Sequence, residues 1–176
     1  MVAQGLFFVA LAFVAVGYKI DRTWETALQR LGLVKPTLKG TAVAVGAAFA
    51  GFVISGVSSQ LTRVTNSEYA DSIERSLEVM TTSSPSLIAA PLIGLSAGFG
   101  EELLFRGALQ PRYGLILTSL LFAMLHAQYG FSFITLGTFL LGYVLGIVAI
   151  RYGTTHAIIA HAIYNAAAVI ISTSID

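Results

Sequence analysis

Long runs of apolar residues alternate along this chain with short polar stretches that hold nearly all of its charges. A tilted helix needs about 20 apolar residues to cross a bilayer, and most of these runs approach that length. The predicted membrane segments are residues 6–18, 40–57, 87–109, 113–127, 131–150 and 157–171. The first and fourth are short, and the fourth need not cross fully, because a buried chain can turn within a membrane protein.

One polar stretch, residues 61–80, has its own periodicity. Its apolar side chains recur at three- and four-residue spacing, and charged side chains occupy the positions between them. This pattern is typical of an amphipathic helix at a membrane surface, here the outer one. The predicted fold is therefore all-α: a polytopic membrane helix bundle with about six membrane segments and one amphipathic interfacial helix. We expect residues 1–176 to form a single membrane domain.

The basic residues predict the orientation of this bundle. Half of the ten Lys and Arg residues lie between positions 19 and 39, and others lie in the turns at 106–112 and 151. The positive-inside rule places all three regions in the cytoplasm. The first apolar run has no basic flank, so we expect a retained helix and not a cleaved signal peptide. The chain is predicted to be a multi-pass protein of the cell (plasma) membrane.

Composition excludes several classes of function. Hydrophobic residues make up 56% of the chain and charged residues 11%, whereas soluble domains average about 25% charged residues. The lipid bilayer is therefore the expected environment. A net charge of +1 argues against a nucleic-acid partner. The absence of cysteine excludes disulfides, thiolate metal sites and a cysteine nucleophile.

The candidate chemistry begins at two adjacent carboxylates inside the third apolar segment, Glu101 and Glu102. An ionisable residue within a membrane span costs about 2.5–3.5 kcal/mol on insertion scales, which indicates a partner or a reaction. Glu102 and Arg106 are four residues apart and can pair on a helix. Glu101 would then face the bundle interior as a general base. A purely structural ion pair is the alternative for the same residues.

Two later segments carry polar groups that could meet Glu101. The fourth ends in Phe122-x-x-x-His126, and the sixth contains His161-x-x-x-Asn165, whose side chains share one helix face. At 1.5 Å per residue, Glu101 and His161 each lie about 15 Å from their cytoplasmic turns. A water held between Glu101 and His126 would be activated, and His161 and Asn165 would stabilise the oxyanion. Taken singly, each histidine could instead be a packing residue.

Three other features are interpreted as structural. His156, at the mouth of the last segment, is predicted to lie at the membrane interface. The pairs Gly94-x-x-x-Gly98 and Gly142-x-x-x-Gly146 have the spacing that lets two helices approach closely. We expect both pairs to serve helix packing.

The three motifs, in this order within residues 87–171, resemble the CAAX protease and bacteriocin-processing family, which includes the type II CAAX prenyl endopeptidase. The resemblance implies an intramembrane endopeptidase. In it, Glu101 and His126 would activate water, and His161 and Asn165 would form the oxyanion hole. The supporting positions would be Glu102, Arg106 and Phe122. The substrate implied is a peptide or protein, with membrane-anchored or prenylated proteins among the options.

Three alternatives remain open from the sequence. Some family members are described as metalloproteases, and Glu101, His126 and His161 form a set that Zn²⁺ would accept. The absence of an HExxH helix and the positive charge of Arg106 favour a metal-free reaction that requires no cofactor. A non-catalytic scaffold or bacteriocin-immunity-type protein is the second alternative. A small proton-coupled transporter is the third, and the lack of an internal repeat disfavours it.

Overall fold

The computed structural model describes residues 2–82 and 89–174, and these residues form helices joined by short turns, with no β-strand. The helices are α1 (Val2–Ala15), α2 (Trp24–Arg30), α3 (Leu38–Thr65), α4 (Ser67–Thr82), α5 (Ala89–Glu102) with a π-helical continuation (Leu103–Leu109), α6 (Gln110–Tyr113), α7 (Leu115–Met124), a 3₁₀ turn (Ala127–Tyr129), α8 (Phe133–Tyr152) and α9 (Thr154–Ser174). The predicted all-α class is confirmed.

Three of the described helices are long and apolar enough to cross a membrane. They are Leu38–Thr65, Phe133–Tyr152 and Thr154–Ile171. Two shorter apolar helices, Ala3–Ala15 and Leu115–Met124, correspond to the two predicted segments that were short. The start of the predicted segment 87–109, and with it the start of the predicted core 87–171, lies outside the described residues. The protein is thus a helical membrane protein, and six full crossings stay a prediction.

The boundary between the second apolar segment and the amphipathic helix differs from the prediction. Helix α3 continues to Thr65 and ends at Asn66, whose backbone leaves the helical region at φ −156° and ψ 89°. Residues 61–65 therefore belong to the long α3, and the amphipathic helix α4 begins only at Ser67. Across this corner, the guanidinium of Arg63 pairs with carboxylates of α4. The charges of this region stabilise the turn between the two helices.

The basic region 19–39, predicted as a loop, contains the short helix α2. Thr23 begins this helix, because its side-chain oxygen accepts a hydrogen bond from the backbone N–H of Thr26. The backbone N–H of Thr154 then donates to the carbonyl of Gly32 at 2.9 Å, and Arg30 donates to the carbonyl of Gly107 at 3.0 Å. These contacts join the three basic regions at one end of the bundle, the arrangement that the positive-inside rule requires.

His156, which was predicted to lie at the membrane interface, is buried between neighbouring helices. Its side chain is 1% exposed, and its Nε2 accepts a hydrogen bond from the backbone N–H of Thr37 at 3.1 Å. Its Nδ1–H donates to the carbonyl of Tyr152, which can only accept. The absence of a side chain at Gly40 leaves room for the imidazole, since a Cβ there would lie 2.3 Å from Nε2. His156 therefore joins the start of α3 to α9.

Helix α5 is held between α1 and α9 by two glycines that permit close backbone approach. A Cβ at Gly98 would lie 2.8 Å from the backbone nitrogen of Ala162 in α9. A Cβ at Gly100 would lie 2.6 Å from the carbonyl oxygen of Gly5 in α1. The predicted packing role of Gly98 is thus confirmed. Both contacts fix the position of Glu101, which directly follows Gly100.

Replacing Gly98 by valine is expected to destabilise the bundle by about 1–3 kcal/mol, because the new side chain must push α5 away from the backbone of α9. Thermal unfolding of the purified protein in detergent measures this effect. Gly46→Val is the matched control, since Gly46 lies in the long apolar helix α3 and a Cβ there would have no other atom within 4 Å. Equal losses in the two variants would mean that valine lowers helix stability and that the crossing at Gly98 is unimportant.

Candidate active site

The two glutamates lie where α5 changes from an α-helix to a π-helix. Glu101 and Glu102 are the last residues of α5, and Leu103–Leu109 continue the chain with π-helical hydrogen bonding. Short π-helical segments interrupt α-helices most often at functional sites, because they are costly to maintain. The contact of Arg30 with the carbonyl of Gly107, given above, satisfies one backbone group of this segment.

Glu102 is the centre of a buried polar chain. Its side chain is fully buried, and its Oε2 lies 3.1 Å from Nε of Arg106. The predicted ion pair is therefore present. The other carboxylate oxygen, Oε1, accepts a hydrogen bond from Nδ1 of His161 at 2.9 Å, a contact that was not predicted. Glu102 thus links α5 to α9 and fixes the orientation of one candidate catalytic imidazole.

The hydrogen bonds determine which nitrogen of each imidazole is available. Glu102 can only accept as a carboxylate, so Nδ1 of His161 carries its proton and Nε2 is the free nitrogen. His126 has its Nδ1 at 3.0 Å from the carbonyl oxygen of Phe122, which also only accepts. Nε2 of His126 is therefore the nitrogen with the available lone pair when the ring is neutral. It can accept a hydrogen bond from water.

Phe122 lies between these groups and is 1% exposed. Its ring centroid is 4.9 Å from that of His126 and 5.9 Å from that of His161. The guanidinium carbon of Arg106 lies 4.8 Å from the same centroid, within the range of a cation–π interaction. The phenylalanine therefore packs against both imidazoles and the arginine, and it brings the three motifs into one cluster.

Glu101 and Asn165 lie close to cluster residues along the chain, but neither side chain is bonded to the cluster. Both side chains are half-buried, and no hydrogen bond or ion pair joins either of them to another residue of the described part of the chain. Glu101 directly precedes Glu102 at the end of α5. Asn165 lies four residues after His161 on α9. The role of Glu101 as a general base stays a prediction, and the structure gives its carboxylate no ion pair with Arg106 among the described residues.

Tyr129 is a residue of this site that sequence reasoning missed. Its ring stacks on that of His126, with centroids 6.0 Å apart and an interplanar angle of 16°. Its backbone carbonyl accepts a hydrogen bond of 3.0 Å from the hydroxyl of Tyr69 in α4. The only sequence signal for this role of Tyr129 is its position three residues after His126, at the end of an apolar helix. Helix α4 is thereby tied to the turn that positions His126.

The described residues do not form a metal site. No group of three or more His, Cys, Asp or Glu side chains within the described ranges is arranged to hold one ion. Of the zinc set suggested by the sequence, His161 uses only Nδ1 to contact Glu102, which leaves Nε2 available. The guanidinium of Arg106, beside that carboxylate, adds positive charge that disfavours a bound cation, and no reaction step below involves one.

The fold and the site define an all-helical membrane protein with a buried carboxylate–imidazole–guanidinium cluster. Residues 83–167, just under half of the chain, match the family described as type II CAAX prenyl endopeptidase Rce1-like. The match agrees with the family that the three motifs predicted, and this segment is similar to the type II CAAX prenyl endopeptidases. No curated protein and no solved structure matches the chain.

Proposed function

We propose that this protein is an intramembrane endopeptidase that hydrolyses a peptide bond by direct attack of water. The observation that carries the proposal is the cluster around Phe122, where His126 and His161 pack on one ring, each with a defined free nitrogen, and His161 also contacts Glu102. The similarity of residues 83–167 to the type II CAAX prenyl endopeptidases supports the same reaction class.

In the proposed reaction, Glu101 and His126 activate the nucleophile. Nε2 of His126 accepts a hydrogen bond from the water and orients it, and the carboxylate of Glu101 takes its proton as the water oxygen bonds to the carbonyl carbon. The protonated Glu101 then donates that proton to the departing amine nitrogen as the C–N bond breaks. The proton taken from water thus ends on the new amine, and the oxygen ends on the new carboxylate.

His161 and Asn165 would stabilise the oxyanion that forms on the substrate carbonyl. The carboxamide of Asn165 can donate through its NH₂ group. Nε2 of His161 can donate only when the ring is an imidazolium, because its other N–H is committed to Glu102. The cluster would then be electrically balanced, with two carboxylates facing one guanidinium and one imidazolium. Such preorganised donors contribute about 2.7–4 kcal/mol each in other hydrolases.

The proposed substrate is a peptide or protein that reaches the site from the bilayer, and a membrane-anchored or prenylated protein is the form that the family favours. The protein is proposed to act in the cell membrane without a metal ion or other cofactor. The finer assignment to a prenylated substrate depends on the family alone.

Cleavage by the purified chain in proteoliposomes is expected to be insensitive to chelators. The assay uses a fluorescent peptide with a farnesylated C-a-a-X terminus, and the same peptide without the prenyl group is the matched control. Activity should persist in 1,10-phenanthroline, because Glu101 and His126 need no metal to activate water. Loss of activity that stoichiometric zinc restores would instead establish the zinc-dependent alternative.

A further inference from the structure

A cavity of about 260 Å³ lies at the basic end of the bundle, beyond the ion pair of Glu102 and Arg106. Its walls come from α2, the π-helical segment, α6 and the end of α8. Arg106 borders this cavity as well as contacting Glu102, and none of the four proposed catalytic residues lines it. The proposed peptide hydrolysis therefore gives the cavity no role.

Two side chains beside the cavity have fully buried polar groups without partners in the described part of the chain. Arg106 is 2% exposed, and its Nη1 and Nη2 make no hydrogen bond there. Gln110 is 6% exposed; its Nε2 donates to the carbonyl of Gly146, whereas its Oε1 accepts nothing. A buried polar group without a partner is destabilising, more so if it is charged. These atoms have less than 1 Å² of accessible surface, so they add polarity to the inner wall of the cavity without contacting a ligand directly.

The charge of the cavity favours an anion. Arg30 and Arg106 both line it, and no carboxylate does. Burial lowers the pKa of Arg30, and the nearby charges of Arg112 and Arg22 lower it further, which shows that positive charge is concentrated here. The predicted orientation places this end of the bundle in the cytoplasm, where anionic lipid headgroups are found.

Part of the cavity lining is apolar, which favours a lipid over a free ion. It includes Leu31, Ala149 and Ile150, and Ile150 is 64% exposed on the surface of α8. The cavity is therefore adjacent to apolar helix surface that faces acyl chains in a bilayer. Basic pockets between transmembrane helices on the cytoplasmic side bind anionic phospholipid headgroups in other membrane proteins.

We propose that this cavity binds the headgroup of an anionic phospholipid. Arg30 donates hydrogen bonds to its phosphate, and the positive charge concentrated at this end of the bundle adds attraction. A lipid bound there would contact the π-helical segment that follows the two glutamates.

Native mass spectrometry of the full chain in a neutral detergent tests this proposal, with phosphatidylglycerol as the probe and phosphatidylcholine as the uncharged comparison. Arg30→Gln is expected to weaken phosphatidylglycerol binding about tenfold, because one charge-assisted hydrogen bond is lost. Ile150→Glu should weaken it similarly by repulsion, and the fold should be kept because this position is exposed. Arg151→Gln is the matched control, since Arg151 is exposed at the same end and does not line the cavity.

Each possible result of this experiment supports or overturns the proposed lipid site. Selective loss of phosphatidylglycerol binding in Arg30→Gln and Ile150→Glu, with normal binding in Arg151→Gln, supports the site. Equal weakening in all three variants would show general attraction to a basic surface and overturn it. Equal binding of the two lipids would also overturn it. Stabilisation of the protein by inorganic phosphate, without retention of phosphatidylglycerol, would identify a free-phosphate site and refute the lipid assignment.

Discussion

Glu101→Gln is expected to lower the rate of peptide cleavage by about 10²–10⁴-fold, the contribution of a positioned general base. Glutamine has the shape of glutamate but cannot take a proton from water. The side chain of Glu101 is half-buried and forms no hydrogen bond or ion pair with the other described residues, so the fold should be kept. Initial rates in proteoliposomes measure the loss of cleavage, and thermal unfolding in detergent shows whether the fold is kept.

The matched control is Glu68→Gln, which neutralises an exposed carboxylate in the first turn of α4. It should cleave at the normal rate. Full activity in Glu101→Gln would exclude the proposed role of this carboxylate. The scaffold alternative makes a different prediction, since a protein that only binds a partner would keep its biological phenotype after Glu101→Ala and His126→Ala.

The sequence predicted the local parts of this site because local spacing determines them. Glu102 and Arg106 are four residues apart in one helical segment, so their contact follows from helix geometry. The contact of Glu102 with His161 joins residues 59 positions apart. It depends on how α5 crosses α9, and that crossing is set by the backbone approach at Gly98. No spacing rule along the chain contains this information.

The same distinction explains where the predicted fold was less accurate. Apolar runs located α8 and α9 to within a few residues, because burial in lipid imposes length and composition directly. The end of α3 was misplaced, because the apolar character falls before Asn66 breaks the helix. His156 was assigned to the interface because it lies at the start of the last apolar segment. That position does not reveal that tertiary packing against Thr37 and Gly40 buries its side chain.

Arg106→Ala is expected to have the largest effect on stability, about 3–5 kcal/mol, because it removes the guanidinium that pairs with a fully buried carboxylate. Glu102 would keep only its hydrogen bond to His161. The cation–π contact with Phe122 would also be lost. Thermal unfolding in detergent and the yield of folded protein measure this effect. Because Glu102 orients His161, we also expect the remaining folded protein to cleave slowly.

A double variant separates the uncompensated charge from lost packing. Arg106→Met combined with Glu102→Gln removes both charges, and glutamine Oε1 can still accept the hydrogen bond from Nδ1 of His161. If an unpaired buried carboxylate causes the loss, the double variant should be more stable than Arg106→Met alone. Full stability of Arg106→Ala with reduced turnover would contradict this account. The guanidinium would then act on the substrate, and the Glu102 carboxylate would need only His161 as its buried partner.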